Sequence, residues 1–197
     1  PSSAASDVYK RQELNELMKR ADGYVVGSPV YYLDVNGLTK NFFDTVDLGD
    51  SNGKPALGIA VAGGTGKGLV LAVKTIYYYF FCKGLRGLEP IPVSRFNFEE
   101  ALRSLYDSGK KLAEISRNPK PFNGLRERIE YYEKLDYMNY TFLDEILLLA
   151  EQLIKTSQNS NVSKALKEYE LAKSLIDEGK REEAIRHAVD AYNMLYY

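Results

Sequence analysis

Apolar residues in the amino-terminal part of the chain alternate between short continuous runs and helical spacing. A helical pattern ends near Ala21. The runs that follow predict strands, and the longest of them is typical of a strand covered on both faces in a parallel sheet. These runs lie at residues 23–27, 55–62 and 89–93, and helical segments follow them at about 35–47, 68–83 and 97–117. This repeated order predicts an α/β fold with a doubly wound parallel sheet.

Only helical spacing continues after Pro119. One apolar stripe runs from Leu143 to Ile154, and two further helices from about Ser163 are joined at Gly179–Lys180. They predict an antiparallel helical hairpin. We therefore divide the chain into a sheet domain at residues 13–118 and a helical extension at residues 119–197. Long exposed apolar stripes usually mark an interface, so the extension predicts a homo-oligomer.

The first residues, PSSAASDVYKRQ, lack an apolar period and resemble translated sequencing-adapter read-through. We interpret residues 1–12 as a non-native leader. On this interpretation the natural protein begins upstream, and the sheet is incomplete at its amino-terminal end.

Composition narrows the possible partners. The formal net charge of −1 and the absence of a long basic cluster argue against nucleic-acid binding. The apolar run Ile76–Phe81 is far shorter than the roughly 20 residues that span a bilayer, and no signal peptide is visible, so we expect a cytoplasmic protein without a membrane partner. Cys82 is the single cysteine, which predicts a packed thiol and no metal site.

The first strand leads into a segment with a distinctive set of residues. We expect residues 28–36 to form a loop at the carboxyl end of that strand, where open α/β sheets bind ligands. Pro29 fixes the backbone, Tyr31 and Tyr32 present ring faces, and Ser28 and Asn36 add hydrogen-bonding groups. Because good acid, base and nucleophile side chains are missing, this segment indicates a site for a flat aromatic ligand.

A glycine cluster, Gly63-Gly64-Thr65-Gly66-Lys67-Gly68, follows the second strand. Such a cluster before a helix can bind phosphate, but the spacing is that of neither known motif. Gly68 stands where a P-loop needs Ser or Thr, and Leu69 stands where the third glycine of G-x-G-x-x-G belongs. We therefore expect the glycines to allow close approach of the backbone to a bound ring.

Two segments of the chain resemble the NADPH-dependent FMN reductase and iron-sulfur flavoprotein group, whose fold is flavodoxin-like. They are ADGYVVGSPVYYLDVNGLTKNFFDTV and GKPALGIAVAGGTGKG. The resemblance covers about Leu14 to Glu114. Nothing here matches the group's Ser/Arg/Thr-rich phosphate loop or its cysteine cluster. The matching residues are Gly27, Ser28, Pro29 and Tyr31 of G-S-P-x-Y, Lys40, Phe42 and Asp44 of K-x-F-x-D, and Gly63, Gly64 and Gly66 of the glycine loop.

The resemblance implies an FMN-dependent oxidoreductase that takes hydride from NAD(P)H and reduces a small-molecule acceptor, namely a quinone, a second flavin or an electron carrier. No catalytic side chain is expected, since flavin hydride transfer needs none. The alternative is a non-catalytic flavodoxin-like scaffold whose carboxyl-terminal helices, similar to one tetratricopeptide repeat, form a protein-interaction module. The residues that the resemblance places around FMN are Ser28, Pro29, Val30, Tyr31, Tyr32, Asn36, Gly37, Ala62, Gly63, Gly64, Thr65, Gly66 and Lys67.

Overall fold

The computed structural model describes the backbone of residues 3–197 and the side chains of residues 11–197. Its five strands are β1 Tyr24–Tyr31, β2 Asp34–Val35, β3 Pro55–Ala62, β4 Arg86–Gly87 and β5 Ile91–Ser94. Its helices are α1 Ser3–Arg20, α2 Gly37–Thr45, α3 Leu69–Lys83, α4 Phe98–Ser116, α5 Leu125–Tyr132, α6 Phe142–Thr156, α7 Val162–Asp177 and α8 Arg181–Tyr196. Helix α1 thus begins inside the segment that we interpret as a leader.

Three parallel strands in the order β1-β3-β5 form the main part of the sheet, and the two-residue β4 is also parallel to β3. Tyr24 of β1 lies opposite Ala56 of β3, and Ile59 of β3 lies opposite Ile91 of β5. The short β2 is antiparallel to β1, and β4 pairs with the start of β3. Each of the three main parallel strands is therefore the neighbour of the main strand that follows it in the sequence. The last three strands of a flavodoxin-like sheet, whose strand order is 2-1-3-4-5, are arranged in the same way.

Helices cover both faces of the sheet. Helix α3 packs on the face that carries Ala56, Ala60 and Ala62, whereas α4 packs on the opposite face with Leu57 and Val93. The α/β fold class, a doubly wound parallel sheet followed by a helical extension, is therefore confirmed. Gly58 permits the close approach of α3, because a Cβ at that position would overlap the ring of Tyr77.

Two local predictions are wrong. Residues 28–31 do not form a loop but continue β1, which then turns back into β2 through Tyr32 and Leu33. Both turn residues have positive φ, 49° and 72°, a geometry that sequence normally signals with Asn or Gly. In addition, Cys82 is exposed rather than packed. Helix α5, which has no clear apolar period, was not predicted.

The helical extension shares the main hydrophobic core. Leu149 and Leu153 of α6 and Tyr192 of α8 are buried in the same cluster as the side chains of α3. A second cluster lies between α6 and the α7–α8 hairpin and contains Leu147, Leu175 and Ala188. The prediction of long exposed stripes is therefore wrong for most of these residues, since Leu147, Ala188 and Tyr192 are buried in the chain's own core, whereas Ile185 stays 50% exposed. Homo-oligomerisation stays a prediction, without these stripes as its basis.

Within residues 3–197, no helix combines the length and the apolar character that crossing a membrane requires. Among the described side chains, those of residues 11–197, no group of three or more His, Cys, Asp or Glu could hold a metal ion.

Candidate functional site

The two segments singled out in the sequence meet at one edge of the sheet. Pro29 of β1 lies opposite Val61 of β3 in a parallel register. Because the strands run in the same direction, Val30 and Tyr31 emerge beside Ala62 and Gly63. The structure therefore brings the predicted residues together at the carboxyl edge, the usual ligand-binding edge of such a sheet.

Ser28 and Asn36 hold the hairpin to α2. Ser28 is 1% exposed, and its Oγ accepts hydrogen bonds from Asn36 N at 3.3 Å and from Thr39 Oγ1 at 3.0 Å. The hydroxyl itself donates to the Pro29 carbonyl at 3.1 Å. The Asn36 side chain accepts from Thr39 N at 2.9 Å and caps α2. Both side chains thus have structural partners, while Gly37 begins α2 at the surface.

Pro29, Tyr31 and Tyr32 are the hairpin residues open to a ligand. Tyr31 is 64% exposed and Tyr32 is fully exposed, whereas Val30 points toward the core. The positive φ of Tyr32 and Leu33 places bulky side chains in a sparsely populated backbone region. Such strain persists only where the surroundings enforce it, and it is concentrated at functional sites.

The glycine loop after β3 presents bare backbone on one side. A Cβ added to Gly63 or Gly64 would meet no described heavy atom within 4 Å. Gly64 has a φ of +50°, and Gly66 N donates to Gly63 O at 2.9 Å. Ala62 is buried at the strand end, and Thr65 is half-buried. The first two glycines therefore offer an open surface that a flat ring could approach closely.

The other end of the glycine loop is packed against the extension. A Cβ on Gly66 would lie 2.6 Å from Leu149 of α6. The Glu145 carboxylate, also on α6, accepts hydrogen bonds from Gly68 N at 2.6 Å and Val70 N at 3.3 Å. These two N–H groups lie at the amino-terminal end of α3, and the amino-terminal end of a helix is where anions bind. A carboxylate already fills that place, so a phosphate group cannot occupy it.

Helix α8 also contacts the glycine loop. The Tyr192 hydroxyl donates to the Thr65 carbonyl at 2.8 Å, and Lys67 Nζ lies 5.4 Å from the centroid of the Tyr192 ring. Burial raises the pKa of Tyr192 to about 12, which favours the protonated hydroxyl that donates this bond.

Sequence reasoning missed Glu145, Leu149 and Tyr192. One signal was available, because Glu145 and Gln152 are polar residues seven positions apart that share one face of α6 with the apolar Leu149. Polar residues on a buried face require polar partners. The sequence could have indicated that such partners exist, although not which groups they are.

Comparisons of this chain with known protein families, sequences and structures gave matches of all three kinds. Residues 3–88 match the model of the NADPH-dependent FMN reductase family. An iron-sulfur flavoprotein from Archaeoglobus fulgidus is 27% identical over 129 residues, which cover 62% of this chain and 64% of that protein. A solved apo structure of an NADH:FMN oxidoreductase is 22% identical with a TM-score of 0.45, covering 59% of this chain and 64% of that one.

The matched region spans less than two thirds of the length of both proteins. The hairpin after β1 and the glycine loop after β3 both lie within the part of the chain that matches the family. The resemblance drawn from the motifs is thus confirmed, and residues 3–88 carry the sequence pattern of the NADPH-dependent FMN reductase family.

Proposed function

We propose that the chain binds FMN at the carboxyl edge of β1 and β3 and functions as an FMN-dependent NAD(P)H oxidoreductase. One observation carries the proposal: the open backbone of Gly63 and Gly64 lies at the strand end beside that of the exposed Tyr31. Bare backbone and aromatic side chains suit a flat, polar-edged ring such as isoalloxazine. Pro29, Tyr31, Tyr32 and residues 63–65 would hold it.

The position of Glu145 supports this assignment of the glycine loop. Its carboxylate occupies the amino-terminal end of α3 and repels a second anion there. The loop is therefore suited to the uncharged ring system of FMN, and the phosphate would lie elsewhere. This agrees with the failure of the loop to match a P-loop at Gly68.

Bound FMN would accept hydride from NAD(P)H and pass electrons to an acceptor, and the chain would supply orientation and electrostatics. We propose a quinone, a second flavin or an electron carrier as the acceptor. A cytoplasmic location and a homo-oligomeric state belong to the same proposal. Exposed apolar residues of the hairpin turn, Tyr32 and Leu33, and of the start of α2, Leu38, offer a surface for subunit contact.

FMN titration of the purified chain, followed by flavin fluorescence, tests the proposal. We expect Gly64→Val to weaken FMN binding by at least about tenfold, a change of about 1.4 kcal/mol, because a branched side chain would project into the space left for the ring. Gly109→Val is the matched control, since Gly109 lies on α4 and also has open space around it.

Saturable binding that is lost in Gly64→Val and kept in Gly109→Val, together with NADPH oxidation by the loaded chain, would support the proposal. Failure of the chain to bind FMN, or equal affinity in both variants, would contradict it and favour the non-catalytic scaffold.

A further inference from the structure

One face of α6 is directed at the carboxyl edge of the sheet. Glu145, Leu149 and Gln152 are spaced by four and three residues and so share a face of the helix. Glu145 meets the start of α3, and Leu149 meets Gly66. Gln152 Oε1 accepts a hydrogen bond from Ser94 Oγ at 2.6 Å, at the end of β5. A single helix thus holds three positions around the glycine loop.

The contact of Glu145 is buried and specific. Glu145 is 8% exposed, and its Oε1 atom accepts from two backbone N–H groups of the first turn of α3. A buried N–H group that loses its only partner is strongly unfavourable. The end of the glycine loop therefore cannot move away from α6 without breaking these bonds.

Helix α8 fixes the middle of the same loop. Tyr192 is 2% exposed, and its hydroxyl donates to Thr65 O. The contacts divide the loop into two parts. Thr65, Gly66 and Gly68 are held by the extension, whereas Gly63 and Gly64 face open space.

We propose that the helical extension positions the glycine loop for the flavin, with Glu145 as the principal positioning residue and Leu149 and Tyr192 as its supports. The inference rests on the proposed function. All three residues lie outside the region that matches the family, residues 3–88. The extension thus keeps the loop in its ligand-ready conformation before any ligand arrives, which lowers the conformational cost of binding.

The test compares variants of α6 in the full chain. Glu145→Ala removes the acceptor, whereas Glu145→Gln keeps an oxygen in the same place and removes the charge. Leu149→Ala and Leu147→Ala form a matched pair of buried leucines on one helix, because Leu149 faces Gly66 and Leu147 faces the α7–α8 hairpin. Tyr192→Phe removes only the hydroxyl group.

Amide hydrogen exchange of Gly68 and Val70 without FMN is the first measurement, because it reports local opening of the loop independently of flavin. We expect Glu145→Ala to speed the exchange of these amides by at least about tenfold, since both lose their acceptor. Glu145→Gln should restore protection. Leu149→Ala should loosen the loop more than Leu147→Ala does.

Unchanged exchange in Glu145→Ala, no rescue by Glu145→Gln, or equal loosening by the two leucine variants would overturn the positioning role.

FMN affinity of the same variants is the second measurement. We expect Glu145→Ala and Leu149→Ala to weaken FMN binding severalfold relative to Leu147→Ala, and Tyr192→Phe to have a smaller effect. Loosened loops with unchanged FMN affinity would overturn the link to the flavin. A wild-type chain that does not bind FMN would instead contradict the proposed function, while the exchange data would still decide whether the extension positions the loop.

Discussion

The two strand ends that form the candidate site are stabilised in different ways. The hairpin after β1 is held by neighbours, because Ser28, Asn36 and Thr39 bond to one another within one short segment. The glycine loop after β3 is held by distant residues, since Gly68 bonds to Glu145, 77 positions away, and Thr65 bonds to Tyr192, 127 positions away. One half of the site is therefore local in sequence, and the other depends on the complete fold.

The two halves also differ in the type of residue that adopts positive φ. The glycine loop uses Gly64, Gly66 and Gly68, for which this conformation is unstrained. The hairpin uses Tyr32 and Leu33, for which it is strained. The backbone of Leu33 lies directly against Gly68, where a Cβ would overlap it. The strained turn therefore rests on the part of the loop that the extension holds, and the halves are physically connected.

The largest loss of stability should come from adding a side chain between the glycine loop and α6. We expect Gly66→Ala to lower the free energy of unfolding by about 2 to 5 kcal/mol, because the new Cβ would clash with Leu149 and adopt a positive φ. Gly64→Ala carries only the φ penalty and should cost about 1 to 2 kcal/mol. Urea denaturation of the two variants measures the difference. Equal losses would show that Leu149 does not restrict the loop.

A smaller effect is expected in the hairpin. We expect Ser28→Ala to lower the free energy of unfolding by about 1 to 3 kcal/mol, because Asn36 N and the Thr39 hydroxyl lose a buried acceptor. Ser104→Ala is the control, since Ser104 is exposed on α4 and should change stability by less than about 0.5 kcal/mol. Amide exchange at Gly68 should not respond to either change. Faster exchange of Gly68 in Ser28→Ala would mean that the hairpin, through the contact of Leu33 with Gly68, also stabilises the glycine loop.

The smallest expected effect is a gain in stability. Leu33→Gly relieves the positive φ in the turn and should raise the free energy of unfolding by up to about 1 kcal/mol. Leu38→Gly is the matched control, because Leu38 is exposed in helix α2, where glycine costs about 1 kcal/mol. Opposite shifts of Tm in the two variants would agree with strain at the turn. A lower Tm for Leu33→Gly would show that the turn is not strained.

The sequence alone predicts the α/β architecture, and it indicates the two segments that form the candidate site. The apolar run at residues 55–62 and the glycines after it are local patterns, because the residues that form each of them are adjacent in the sequence. Such patterns do not depend on how the rest of the chain folds. The parallel strands, the helices between them and the position of both strand ends at one edge of the sheet follow from such signals. The hairpin turn was not predictable, since Tyr32 and Leu33 are not residues that usually mark a turn.

Only the tertiary structure decides what the carboxyl-terminal helices do. Their periodicity predicts that α6 and α8 exist, because a helix of that period has one apolar side. It does not specify the surface against which that side packs, and the predicted exposed interface is in fact a buried contact with α3 and the glycine loop. Partners such as Glu145 and Gly68 are brought together by many weak packing interactions across the whole core. No local pattern in the sequence specifies their combined effect.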